Sequence, residues 1–393
     1  MASHKNSGQK TICVHTGETP DKQFRGAISP IYMASSYEFM EVDVKRYPRY
    51  FNTPNQEFLS KKIAQLEHSE GAMIFSSGMA AISTTLLAFL GSGDHIVLQK
   101  DIYGGTRNLV EEQFDRYGIE YTFTSGLYVN DFECCIQPNT KLIYIETPSN
   151  PLLKIVDIAA IANLAKSHNI LSVIDNTFAT PIIQRPIDFG IDIVLHSATK
   201  YFGGHSDISA GALAAKQEHI DTVWNLGKNL GGNLSDFMVW MLERSMKTLS
   251  VRVKAQQKNA KKLAKKLQKN KYVDTVYYPG LKSHPNYELA KKQMNGFGAM
   301  LSFKFIDGID SEQFLKALKL IKPSMSLAGI ESTMLLPSRT SHALLSPEER
   351  ADQGICDGLI RFSVGMENSD DLLIDITMHC TRRFNKVCRF RNV

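Results

Sequence analysis

Lys200 stands in SATKYFGGHSD (197–207), directly after IDIVLH (191–196), a mostly apolar, β-branched run that reads as the end of a buried strand. A primary amine among small hydroxyl residues at such a place is suited to condensing with a carbonyl. Upstream, Asp175 closes the apolar run LSVI, and a carboxylate buried there needs a cationic or hydrogen-bonding partner. A third stretch, FSSGMAA, sets Ser76, Ser77 and Gly78 between a strand and a helix, where backbone N–H groups and small residues make an anion site. Each has a plainer reading alone: a solvated lysine, a capping aspartate, a serine N-cap. Together they meet three needs of pyridoxal 5'-phosphate: an amine for its aldehyde, a carboxylate for its pyridine nitrogen and a cradle for its phosphate. Lys200, Asp175, and the SSGM stretch with Ser197 and Thr199 are the candidate set.

The elements that must hold these residues follow from periodicity. AMIF (72–75), DHIVL (94–98), IEYTF (119–123), KLIYI (141–145), LSVID (171–175), IDIVL (191–195) and GALAA (211–215) read as seven strands. Helix-length stretches such as MAAISTTLLAFL and IAAIANLAKSH lie between several of them. The alternation implies an α/β fold with a mainly parallel sheet wrapped by helices. Sheets of this kind bind ligands at the carboxyl ends of their strands. Residues 1–55 lack the rhythm and read as an extended arm. A large domain over 56–253 follows, and DFMVWMLERSMKTLSVRVKAQQKNAKKLAKKLQ reads as one long helical segment after the sheet. Residues 254–393 form a smaller α+β domain containing AMLSFKFI, FLKALKLI and LIRFSVGME, ending in a basic tail whose charges are expected in solvent.

Composition excludes several classes. Hydrophobic content of 43% and charged content of 22% fit an ordinary globular protein. The net charge of +5 gathers in KKLAKKLQKNK and the tail rather than over a face interleaved with aromatics, so no nucleic-acid partner is expected. With no apolar leader near the start and no run long enough to span a bilayer, no membrane partner is expected and a cytoplasmic location is. The six cysteines form no CxxC pair and fit reduced thiols; the adjacent Cys134 and Cys135 are read as buried packing. His196 and His205 flank the lysine without a second ligand pattern, so no metal is expected.

Read in order, YPRYFNTPN, SSGMAA, DIYGGT, ETPSNP, VIDNTF, HSATKY, SLAGIEST and RFSVGME resemble the trans-sulfuration, or Cys/Met metabolism, branch of fold-type I pyridoxal phosphate enzymes, from the arm to about residue 378. The resemblance implies an aspartate-aminotransferase-like fold with a seven-stranded sheet in the large domain. It makes Lys200 the Schiff-base lysine and proton carrier, and Asp175 the partner of the pyridine nitrogen. Ser77, Gly78, Met79, Ser197 and Thr199 would bind phosphate, and Tyr103 would stack on the cofactor ring and assist the leaving group. Tyr47 and Arg49 would reach the cofactor and substrate from a neighbouring subunit, within a homotetramer built as a pair of dimers. Asn150, Ser326 and Arg361 would hold the substrate carboxylate, a task that suits the planar fork of arginine.

Two positions that in cystathionine-processing members often hold acids carry Arg46 and Met325 here, which favours a substrate with an apolar or neutral end. Gly105 and the RN order at Arg107 point in other directions. The implied activity is a carbon–sulfur lyase that eliminates the γ or β substituent of methionine, homocysteine, cystathionine or cysteine-type substrates. The alternatives are γ-replacement on an O-acyl-homoserine, plain transamination, and a non-catalytic module that keeps the fold.

Overall fold

The computed structural model describes residues 7–343 and 345–390, with side chains to residue 380. The side chains of the basic tail from 381, Cys388 among them, lie outside the described residues. The chain forms two compact units: one runs to Thr147 and resumes over Val156–Val251, and the other takes Pro148–Ile155 and Arg252 onward.

The first unit contains all seven expected strands: β1 (Gly71–Phe75), β2 (His95–Leu98), β3 (Glu120–Phe123), β4 (Thr140–Glu146), β5 (Leu171–Asp175), β6 (Ile193–His196) and β7 (Gly211–Ala215). Their order is β1-β7-β6-β5-β4-β2-β3. The run from β6 to β3 is parallel, and β7 lies antiparallel between β6 and β1, so the sheet is mainly parallel, as expected. β2, β6 and β7 are buried along their whole length, which is why they read as continuous apolar runs without alternation. Ile96, Leu98, Tyr144, Val173, Leu195 and Leu213 share one core with the helix Gly78–Phe89.

In the second unit β8 (Val273–Tyr277), β9 (Met300–Phe305), β10 (Lys322–Pro323), β11 (Thr333–Leu335) and β12 (Leu359–Ser363) form a sheet in the order β10-β11-β12-β9-β8. All its pairings are antiparallel except β10 with β11.

Three expectations need correction. The segment read as one helix is two, Asp236–Met246 and Leu249–Leu267. Thr248 donates its hydroxyl to the Ser245 carbonyl at 3.1 Å, a local bond that competes with helix continuation. The arm is not wholly extended: it holds the helix Gln9–His15, pinned by the fully buried Lys62, which donates to the Cys13 carbonyl at 3.0 Å. Burial pushes the Lys62 amine down to about 8. Cys134 is exposed rather than packed, because it caps a helix of a single turn, Val129–Glu133. No helix among the described residues is long and apolar enough to cross a membrane.

Candidate active-site residues

The strands β1, β5 and β6 end at Phe75, Asp175 and His196, and Ser77, Gly78, Met79, Asp175, Ser197, Thr199 and Lys200 sit at or just beyond these ends. Ser77 caps the helix Gly78–Phe89, its Oγ accepting the Ala80 amide at 3.0 Å. A Cβ added to Gly78 would lie 2.8 Å from the Ser197 Cβ, so the SSGM turn and the HSATK loop touch. On its other side the turn rests on Gly211 of β7, where an added Cβ would lie 2.0 Å from the Ser77 carbonyl oxygen. Backbone alone fits in that gap. Gly211→Ala is therefore expected to cost about 1–3 kcal/mol, the range for overpacking a tight site. It should also weaken phosphate binding by moving the helix start, as thermal unfolding and a cofactor titration would read.

Lys200 and Ser197 lie in one tight turn, with the Lys200 amide donating to the Ser197 carbonyl at 3.0 Å and the Gly204 amide to the Lys200 carbonyl at 2.7 Å. Thr177 ties this loop to the aspartate: its Oγ1 accepts the Ser197 amide at 2.8 Å, and its amide donates to Asp175 Oδ1 at 2.9 Å. Sequence reasoning missed Thr177, although it lies within the quoted VIDNTF. Thr199 is committed elsewhere, exchanging hydrogen bonds of 3.1 and 3.0 Å between its hydroxyl and the Ala210 backbone. Behind the loop His196 pairs with Glu67 at 2.5 Å and stacks on Phe202 at 4.6 Å between ring centroids, a buried supporting network. His205 bonds the Gly203 carbonyl of its own loop at 2.8 Å.

Tyr103 is half exposed beside Met79: a Cβ added to Gly105 would lie 2.5 Å from the Tyr103 ring and 3.1 Å from the Met79 sulfur. Arg107, on the short helix Gly104–Leu109 that Tyr103 precedes, pairs with Glu111 at 2.9 Å and lies over the Phe123 ring at 4.4 Å. In the arm Arg49 packs between Tyr47 and Tyr50 and donates to the Lys228 carbonyl of its own chain. Arg46 is paired with Glu57 at 2.9 Å, so its charge is already matched.

The three expected carboxylate ligands meet within the second unit. Arg361, in the middle of β12 and 4% exposed, donates to Asn150 Oδ1 at 3.1 Å and to the Ser326 carbonyl at 2.9 Å. Ser326 holds φ at +71°, a left-handed conformation that costs a residue with a side chain free energy and marks a loop shaped for a task. Nearby Ala328 donates its amide to Ser363 at 2.7 Å, and Gln256 donates to the Gly329 carbonyl at 2.6 Å, fixing the loop. Burial, and then the Arg361 charge, push His342 down to about 4, which keeps its imidazole neutral beside that guanidinium. Met325 is exposed.

The family model for Cys/Met metabolism PLP-dependent enzymes matches residues 10–379. The chain belongs to that family. A Cys/Met metabolism enzyme of this kind works with pyridoxal 5'-phosphate. Among its relatives, cystathionine gamma-lyase of Bacillus subtilis is 44% identical, over 94% of this chain and 98% of that protein. L-methionine gamma-lyase of Fusobacterium nucleatum is 40% identical, over 95% and 98%. The crystal structure of cystathionine gamma-lyase from Lactobacillus plantarum complexed with L-serine superimposes with a TM-score of 0.91 at 40% identity, covering 95% of this chain and 98% of that one.

The residues of this family member fit the cofactor. Asp175 is 7% exposed, and burial, only partly offset by its bonds with Thr177 and by His196, raises its carboxyl above the ordinary value. A carboxylate held at such a cost gains most from a cation beside it, which a protonated pyridine nitrogen is. Ser77, Gly78 and Ser197 pack closely where the helix Gly78–Phe89 begins, with no room for a further side chain at Gly78 or Gly211, and a helix start of small residues suits an anion.

Proposed function

We propose that this enzyme is a carbon–sulfur lyase that removes the γ or β substituent of sulfur amino acids and releases a thiol, ammonia and a 2-oxo acid. The observation that carries the proposal is the Arg361 fork with Asn150 and the strained Ser326, a site matched to an α-carboxylate, in a chain that also holds Lys200 and Asp175 at strand ends. Bound pyridoxal 5'-phosphate supplies an electron sink conjugated to the substrate α-carbon. Asp175 would pair with the ring nitrogen and favour its protonated form. Ser77, Gly78, Met79 and Ser197 would hold the phosphate through amides and hydroxyls, with Thr199, bonded to the Ala210 backbone, supporting their loop. Arg361, Asn150 and Ser326 would grip the substrate carboxylate, and the Lys200 amine would take the α-proton. For a γ substituent Lys200 also moves a β-proton, and Tyr103 supports the departing sulfur. The thiolate leaves with a proton, and water completes the release of ammonia and the oxo acid.

Neutralised by Glu57, Arg46 does not offer an acid or a free cation to the far end of a substrate, and Met325 is apolar. Both features favour methionine- or homocysteine-like side chains over the distal ammonium of cystathionine. The test is product analysis with methionine, homocysteine, cystathionine and O-acetylhomoserine. Release of a 2-oxo acid from a sulfur substrate supports the lyase. Formation of a new thioether from O-acetylhomoserine and a thiol, with no oxo acid from any sulfur compound, would replace it with γ-substitution. Arg361→Leu should raise KM by about 10²-fold or more, since it removes a charge-assisted bidentate pair and leaves the substrate carboxylate unmatched; unchanged KM would move the carboxylate site elsewhere.

The same reading assigns residues 1–55 as an arm, 56–253 as the cofactor domain and 254–393 as the C-terminal domain, in a cytoplasmic homotetramer. Phe24, Met33, Phe39 and Met40 of the arm are each at least 67% exposed, an apolar surface that a second copy would cover. Tyr47 and Arg49 lie in the same arm, so they are assigned to the neighbouring copy's cofactor and substrate. Light scattering of the holoenzyme reads the mass directly. The described cysteines are all free thiols, which suits a reducing compartment.

A further inference from the structure

Glu146 ends β4 as the register partner of Asp175, and it is 5% exposed. Burying a carboxylate is costly, and the pyridine nitrogen already has Asp175. What Glu146 holds is the backbone of Tyr103: its Oε2 accepts the Tyr103 amide at 2.7 Å, a charge-assisted bond. Gln99, fully buried one residue past β2, fixes Glu146 in turn. Its side-chain oxygen accepts the Glu146 amide at 2.9 Å, and its Nε2 donates to the Glu146 carbonyl at 2.9 Å and to the Asp101 carbonyl at 3.0 Å. The amide thus copies one further rung of the β2–β4 ladder, and the same group grips the loop that leads to Tyr103. From the other side the ring lies against Gly105 and Met79.

We propose that Glu146 is a positioning residue: its carboxylate, carried on a backbone that Gln99 fixes, anchors the Tyr103 backbone and thereby sets the angle at which that ring meets the cofactor. The proposal rests on the reading that Tyr103 faces the cofactor. Tyr103 is half exposed, so a rigid backbone anchor is a direct means of fixing the direction of its ring. Misplacement of a reacting or stacking group by about an ångström is enough to slow a reaction by about 10²-fold.

The experiment compares the holoenzyme with Glu146→Ala, Glu146→Gln, Tyr103→Ala and the Glu146→Ala/Tyr103→Ala double variant, reading kcat, KM and the visible circular dichroism of the bound cofactor. Glu146→Ala should lower kcat by about 10- to 100-fold with KM changed little, and should diminish the dichroic band. Glu146→Gln keeps an acceptor and should restore most of both. In the Tyr103→Ala background the same change should add less than about twofold, because coupled residues are not additive. A Glu146→Ala enzyme with the wild-type band and kcat, or losses that multiply in the double variant, overturns the proposal. Should Glu146→Ala not fold, Gln99→Leu loosens the same anchor with the carboxylate kept, and an unchanged band and kcat there overturns it equally. A Tyr103→Ala enzyme whose band matches the wild type removes Tyr103 from the cofactor and sinks both the site reading and the anchor.

Discussion

Lys200→Ala is expected to abolish turnover and to remove the visible absorbance that the proposed bond between the lysine and the cofactor would give, while the fold survives. The expected loss in kcat is at least about 10³-fold, since one amine both binds the aldehyde and moves the proton. The fold should tolerate the change because the turn around Lys200 is closed by main-chain bonds to Ser197 and Gly204, which alanine keeps, and the side chain is only half buried. Absorbance spectra, far-ultraviolet circular dichroism and an oxo-acid assay read the three parts separately. A variant that stays coloured and active would move the chemistry to another amine, and the candidate site with it.

Asp175→Asn has effects of opposite sign with and without cofactor. In the cofactor-free protein burial raises the Asp175 pKa above its unfolded value. A carboxyl raised in this way contributes stability that is complete below the unfolded pKa and is lost as pH rises through the folded one. As pH rises past the unfolded value the buried carboxyl therefore costs stability in either form, and an uncharged asparagine of the same shape relieves that cost. The Thr177 amide keeps an acceptor in the substituted side chain. Cofactor-free Asp175→Asn should melt higher than the wild type at pH 7 and show no gain below pH 4, by roughly 2–4 °C for each kcal/mol relieved. With cofactor the order is expected to reverse, because the proposed partner of the ring nitrogen would be gone. Added pyridoxal phosphate should raise the melting temperature of the wild type far more than that of the variant, and kcat should fall by about 10²-fold or more. Thermal unfolding from pH 4 to 8 with and without cofactor checks both. Equal cofactor-induced shifts in the two proteins would separate Asp175 from the ring nitrogen.

Much of this was legible in the chain because it is local. LSVID and GALAA coincide with β5 and β7, and the other strands differ from their apolar runs by two residues or fewer at either end. A strand buried on both faces has no other way to write itself than as such a run. The lysine, the aspartate and the serine–glycine turn were visible because three strand ends together carry the parts one cofactor needs. What escaped was settled at a distance. Gly211 is one small residue in an unremarkable stretch, and its importance comes from the Ser77 carbonyl, which is remote in sequence. Thr177 and Glu146 are ordinary polar residues until the partners that their hydrogen bonds reach are known. The break at Lys247 and Thr248 depends on a side-chain bond back to Ser245, which periodicity does not report. The arm helix is too short to show a clear stripe and is stabilised by Lys62 from another element.

The pairing of β1 with β7 bears on how the protein is made. Phe75 opposes Gly211, so the phosphate cradle joins the first strand of the sheet to the last across nearly all of the intervening chain. Contacts of such high sequence separation form late, after the loop entropy of the interior strands has been met. A nascent chain leaving the ribosome therefore carries Ser77 and Gly78 long before it has a surface against which to shape them. The ability to retain pyridoxal phosphate should emerge only once the residues of β7 have cleared the exit tunnel, and stalled chains ending before Gly211 should not retain it.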